Sequence, residues 1–145
     1  MSLADLRAAA RAANDPSLLG RAIPYGEYIG LGVALVAGEL LGTLRYSPAL
    51  IGNPALPALH GGAIGSLLES TALVQLIWDA ELAVLPKTIS LTIDYLRSGR
   101  PVDTLAHGIV TRQGRRVANV RVEAWQDDRT RPIAIAHGHF LLATE

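Results

Sequence analysis

The chain has no cysteine among its 145 residues. That absence removes disulfides, thiolate nucleophiles and every zinc or iron–sulfur site built on thiolates. Charge is also scarce. Only 18% of residues are charged, and the 13 basic side chains balance the 13 acidic ones. A chain with no net charge has no broad field to draw it to nucleic acid or an anionic membrane, so neither is expected as a partner. Long apolar runs are missing too. The most apolar early stretch, Ile29 to Leu44, is broken by four glycines and by Glu39, which excludes a membrane span. Asp5, Arg7 and Arg11 interrupt the N-terminal segment, so it has no signal-peptide core. A cytoplasmic location is the expectation. Repeats and low-complexity segments are absent.

What remains is a globular composition, with half of the residues hydrophobic. The length suits one domain, 1–145, in which 1–20 is an N-terminal helical extension. Ser2 to Ala13 reads as a surface helix capped by Ser2 and ended by Asn14-Asp-Pro16. Ile23-Pro-Tyr-Gly26 reads as a connecting segment. A hairpin follows from Ile29, turning near Gly38 and ending at Tyr46. Ser47 to Leu59, with three prolines, is a loop. Gly61 to about Asp79 is long, proline-free and apolar nearly all round, which predicts a helix buried on most sides.

After Pro86 the period becomes two. Strands are expected at 88–95, 105–111, 118–125 and 133–139, with turns at Ser98-Gly-Arg-Pro101, Gln113-Gly-Arg-Arg116 and Asp127 to Arg131. The strands read as an antiparallel meander. Ala106, Gly108, Ala134, Ala136 and Gly138 place small residues on one face, which allows a helix to lie close to the sheet. The fold class is therefore α+β: an antiparallel sheet of five to six strands wrapped round one long central helix. Such a sheet has open edges, so pairing edge to edge in a dimer is expected.

Chemistry concentrates on the central helix. From His60 to Trp78 the only charged side chain besides His60 is Glu69. A lone carboxylate on an apolar helix is costly to bury unless something holds or uses its charge. Either its protonation and reactivity are being tuned, or it is an interface or capping residue satisfied by a partner. His60-Gly61-Gly62 falls where loop becomes helix. The first turn offers N–H groups without intrahelical acceptors at the positive end of the macrodipole, and glycines let a ligand come close. This suits a carbonyl oxygen becoming an oxyanion. The plainer reading is that the glycines only serve a tight turn. Gly61 and Glu69 are eight residues apart, about 12 Å along a helix, too far to act on one carbonyl. If both serve one site, they come from two copies of the helix running antiparallel across a dimer axis.

The string His60-Gly61-Gly62, six residues, Glu69, within this order of elements, resembles the hotdog-fold acyl-CoA thioesterases of the phenylacetate-pathway, 4-hydroxybenzoyl-CoA thioesterase-like branch. The resemblance runs from about Ile23 to Leu142. It takes in Ile23-Pro-Tyr25, Ile93-Asp-Tyr-Leu-Arg97 and Gly114-Arg-Arg116. It implies hydrolysis of an aliphatic or aromatic acyl-CoA to free acid and CoA, without a cofactor or metal, in a homodimer or a dimer of dimers. Gly61 N–H would polarise the thioester carbonyl. Glu69 of the partner chain would attack it as nucleophile, or activate water as general base. His60 would support the loop, and Thr88 matches a position where relatives place a hydroxyl that orients water. Relatives often carry Asn or Gln six residues before the His; Pro54 stands there, so Asn53 fits only if the loop is one residue longer. Gly62 would lie against substrate. Arg97, Arg115 and Arg116 are the cations expected to meet CoA phosphates, and as turn residues they read equally as solvated charges. Tyr25, Tyr28 and residues between Ile77 and Pro86 are expected at the acyl pocket, and Trp78 and Trp125 in packing or pocket wall. Other activities compatible with the pattern are an acyl-thioester dehydratase or hydratase and a non-catalytic acyl-CoA-binding module.

Overall fold

A computed structural model describes residues 1–142, so the last three positions of the expected 1–145 domain lie outside the described residues. Helix α1 (Leu3–Ala13) opens with a capping box. The Ser2 hydroxyl accepts the Asp5 N–H at 3.1 Å, and the Asp5 carboxylate accepts the Ser2 backbone N–H at 3.2 Å. The hydrogen bond from Ser2 also holds the Asp5 carboxyl below its ordinary pKa. Asn14 ends the helix in the left-handed conformation at φ 51°. A short α2 (Ser17–Gly20) follows. The segment at Ile23 is a helix rather than a plain connection: α3 (Pro24–Ile29) begins on Pro24, whose missing N–H costs nothing at N1. Gly30, at φ 83°, stops it, which delays the first strand to Leu31.

Strands β1 (Leu31–Val36) and β2 (Glu39–Leu44) form the expected hairpin. The expected loop 47–59 holds a 3₁₀ turn at Pro48–Leu50 and a small ribbon of β3 (Ile51–Asn53) and β4 (Ala58–Leu59). Then come helix α4 (Gly61–Asp79) and strands β5 (Lys87–Tyr95), β6 (Thr104–Gln113), β7 (Val117–Trp125) and β8 (Ala134–Leu141). The main sheet has six strands in the order β1-β2-β6-β7-β8-β5, every pair antiparallel. It packs on α4 in the hotdog arrangement.

One connection differs from the simple meander. β5 pairs with β8 rather than with β6, so the segment after Tyr95 crosses the sheet end instead of making a hairpin. Leu96 and Arg97 donate their N–H groups to the Ile133 carbonyl on the way. The reason is tertiary: β6 joins β2, and β5 is left at the edge, alongside the helix.

The small residues act as expected at most positions. Ala106, Ala118, Ala124, Ala134 and Ala136 are fully buried. A Cβ on Gly42 would fall 2.1 Å from Thr71 Oγ1, so the helix touches the sheet backbone there. Gly138 serves a different contact. The space above it is taken by the Phe140 ring, 2.6 Å from where a Cβ would sit, and not by the helix. Leu67, Leu68, Ala72 and Leu76 form the buried face of α4 with Leu44, Val120, Val122 and Phe140. Gly62, Ser66, Glu69 and Leu73, spaced four, three and four, are left less covered and form one stripe.

The C-terminal half of α4 is closed by the N-terminal helices. Ala10, Leu19, Leu40, Val74, Ile77 and Trp78 make a second core cluster, with Leu82 against it. Ile77 is therefore packed in the cluster under the N-terminal helices rather than in an acyl pocket, and Leu82 packs against both core clusters. Trp78 and Trp125 are both packing residues, under Arg11 and Arg129 respectively. Arg7 reaches the last turn of α4, donating from Nε to the Ile77 carbonyl at 2.9 Å and from Nη2 to the Trp78 carbonyl at 3.3 Å. A cation there satisfies two end carbonyls and opposes the negative end of the dipole. Arg7→Ala is expected to lower unfolding stability by about 1–2 kcal/mol. Chemical denaturation checks this, and an unchanged midpoint would make the cap idle. No helix among the described residues is long and apolar enough to cross a membrane.

Candidate active site

Two half-sites lie at opposite ends of the first part of α4. The first is the helix N-terminus. His60 is the cap residue, with extended φ −63° and ψ 131°, and its Nδ1 accepts the Gly62 N–H at 2.8 Å. The cap therefore uses an imidazole where Ser or Asp would be usual. Gly52 makes room for it: a Cβ there would sit 2.7 Å from His60 Cα. The His60 carbonyl accepts from Ala63 and Ile64, which closes the first turn. Gly61, as the first helical residue, has no carbonyl one turn behind it to accept its N–H. The Gly62 N–H is already held by His60, so what Gly62 offers a ligand is space rather than a donor.

Beside Gly61 lies an open cavity of about 330 Å³. Its walls mix apolar side chains, from Ala58, Leu59, Ile64 and Leu96, with the polar groups of Tyr95, Arg97 and Ser98. Arg97 thus stands at the Gly61 end of the molecule. It also borders a second cavity with Arg100, Gln126, Asp127, Asp128 and Arg131, in which Arg100 is paired with Asp127.

The second half-site is Glu69 with Thr88. Glu69 sits half-buried on the uncovered stripe, and its Oε1 accepts the Thr88 hydroxyl at 3.0 Å. Helical neighbours alone give it no partner; the partner comes from β5. This strand runs antiparallel to α4, with Thr88 against Glu69, Ile93 against Gly65 and Tyr95 against Gly61. Arg115 and Arg116, in the β6–β7 turn, belong to the same end of the sheet, since Val117 and Lys87 both pair with Leu141. They line a cavity of about 420 Å³ with Arg112, Val117 and Asn119.

Asn53 is exposed at a register irregularity in the β3–β4 ribbon. Its Oδ1 accepts the Ala55 N–H at 3.0 Å, a local turn bond. It joins neither half-site directly. Tyr25 and Tyr28 stack at 6.5 Å, and the Tyr25 hydroxyl is 3.5 Å from that of Ser66 on the uncovered stripe. His137 and His139 lie exposed on the outer face of the sheet, where His139 Nδ1 meets Asn119 Oδ1 at 2.7 Å.

Sequence reasoning gave no role to Tyr95, whose hydroxyl donates to the Gly61 carbonyl at 2.7 Å. It stood there only as the end of the period-two strand and within the Ile93-Asp-Tyr-Leu-Arg97 string. A strand pattern says which face a side chain takes, and not that it reaches a helix terminus.

Within one chain Gly61 and Glu69 are two turns apart and do not converge. The arrangement offers an electrophile-polarising N–H at one end and a hydroxyl-held carboxylate at the other.

Comparison with known proteins gives a consistent picture. The family model described as the thioesterase superfamily matches residues 56–133, more than half of the chain. A solved protein of Chromobacterium violaceum is 42% identical over 98% of this chain and 96% of its own, with a TM-score of 0.75. A phenylacetic acid degradation-related protein of Ralstonia eutropha is 23% identical, covering 81% of this chain and 89% of its own, with a TM-score of 0.71. A Bacillus halodurans protein solved with CoA is 19% identical, covering 89% and 87%, with a TM-score of 0.77. The last two show likeness of fold. Among curated proteins, none matched the sequence.

Proposed function

Since the chain belongs to the thioesterase superfamily, we propose that it hydrolyses acyl-CoA thioesters, in a homodimer whose two sites each combine Gly61 of one protomer with Glu69 of the other. The observation that carries this reading is the placement of β5. It is an edge strand, and it holds Thr88–Glu69 at one end and Tyr95–Gly61 at the other. Antiparallel pairing of two such edges about a two-fold axis near Leu91 brings the Glu69 end of each chain to the Gly61 end of its partner. Nine residues of strand provide about 30 Å of contact.

In the resulting site the thioester carbonyl oxygen lies against the Gly61 N–H, at the positive end of a 19-residue helix. Glu69 of the partner either attacks the carbonyl carbon, giving an anhydride that water opens, or takes a proton from the water that attacks. In both routes the C–S bond breaks, CoA leaves as thiolate, and the acyl group leaves as carboxylate. The Thr88 hydroxyl fixes the rotamer of the carboxylate. Arg97 on one protomer and Arg115 and Arg116 on the other flank the groove and meet the phosphates of CoA. A fold neighbour that was solved with CoA is compatible with that ligand. The dehydratase alternative wants an imidazole facing an acid across the site. His60 instead uses Nδ1 to cap its own helix, which weighs against it.

The direct test offers short, medium, long and aromatic acyl-CoAs to the purified protein and follows free thiol. Release well above the uncatalysed rate on at least one chain class is expected. No release on any of them would remove the thioesterase reading.

A further inference from the structure

The peptide that follows the Gly61 N–H is gripped from two sides. Its carbonyl, on Gly61, accepts the Tyr95 hydroxyl at 2.7 Å, a full-strength O–H···O bond. Its N–H, on Gly62, donates to His60 Nδ1 at 2.8 Å. Few peptides need such a grip more. Two adjacent glycines at a helix start have the widest choice of φ and ψ, and helix ends fray. An oxyanion donor works only if it is already aimed when charge develops.

The helix is shaped to receive this tyrosine. Gly61 and Gly65 lie one turn apart on the face toward β5. A Cβ on Gly61 would stand 3.3 Å from Tyr95 Cζ and hydroxyl, and one on Gly65 would stand 3.6 Å from the hydroxyl and 3.1 Å from Ile93 Cδ1. The ring therefore lies on a bed without side chains, which brings a strand-end hydroxyl to a helix-end carbonyl.

We propose that Tyr95 is a positioning residue for the reaction: it fixes the Gly61–Gly62 peptide, and through it the direction of the Gly61 N–H. The inference rests on the thioesterase reading of the site. Thr88 performs the matching task at the other end of the same strand, holding Glu69 at 3.0 Å, so β5 sets both half-sites.

Tyr95→Phe keeps the ring and removes the hydroxyl. The expected result is a kcat about tenfold lower with KM within twofold, smaller than the 10²–10³ that loss of a whole oxyanion donor costs. Amide hydrogen exchange at Gly62, read by NMR, should rise in the same variant while the rest of α4 stays protected. An unchanged kcat in folded Tyr95→Phe protein would overturn the proposal. So would unchanged exchange at Gly62, or loosening spread along the whole of α4 with kcat per folded molecule intact. If wild-type protein cleaves no acyl-CoA, the thioesterase reading fails on its own, and exchange at Gly62 alone then decides whether Tyr95 sets this peptide.

Discussion

Replacing Glu69 by alanine is expected to lower kcat on acyl-CoA by roughly 10³-fold, within the range that loss of a positioned base or nucleophile produces. KM should change little, because the carboxylate meets the reacting centre and not the long CoA body. Stability should move the other way. Glu69 is the one charge on an otherwise apolar helix face, and alanine is the better helix former. A variant that is folded as well as the wild type, or better, yet nearly inactive separates a catalytic role from a structural one. Glu69→Gln sharpens the test. It keeps the shape and still accepts a bond from Thr88, but it cannot attack the carbonyl or take a proton, so it should be as inactive as alanine. Glu69→Asp withdraws the carboxylate by one methylene from Thr88, now at 3.0 Å, and should fall between wild type and these two inactive variants. Thiol release and thermal denaturation on the same preparations supply both readouts. Wild-type turnover in Glu69→Ala would end the proposal that this carboxylate does the chemistry.

Much of the arrangement was legible before any coordinates. The central helix runs from Gly61 to Asp79 as its text suggests, because prolines end the loop before it and no breaker but Gly65 falls inside. The six-stranded antiparallel sheet follows from period-two text and small residues on one face. Local signals also gave the Ser2 cap, which is a contact between near neighbours in sequence. What was not legible depends on partners distant in sequence. The text of β5 to β8 reads as consecutive hairpins, yet β5 goes to the edge, since strand patterns specify faces and not neighbours. Ile89 shows the same limit. It continues the apolar alternation with Leu91 and Ile93, but a register shift between Thr88 and Ser90 leaves it 57% exposed. Glu69 looked partnerless on its helix because Thr88 lies 19 residues on. Tyr95 was given no role for the same reason, its contact with Gly61 spanning 34 residues.

Mixing two inactive variants should restore activity, and this is the second large effect. Gly61→Pro removes one N–H and is compatible with the helix start. Proline is favoured at the first position of a helix, and its ring pre-sets the helical φ. The residue before a proline must be extended, and His60 already is, at ψ 131°. A Cβ at this position stands 3.3 Å from Tyr95 Cζ and hydroxyl, so the substitution also presses on that side chain. Alone, Gly61→Pro should lose about 10²–10³ in kcat, as other lost oxyanion donors do. In a dimer with one Gly61→Pro chain and one Glu69→Ala chain, one site carries both lesions and the other carries neither. Random exchange makes half of the dimers mixed, so about a quarter of all sites become intact. Activity should climb from a background of about 10⁻²–10⁻³ of wild type to about 25%, a rise of one to two orders of magnitude with no new contact made. A cis arrangement predicts no gain, because every site built within one chain stays defective whichever chain it meets. Exchange itself is verified with subunits of different mass. Exchanged dimers that stay at background would show that Gly61 and Glu69 do not share a site, and the β5 edge would lose its role in joining them.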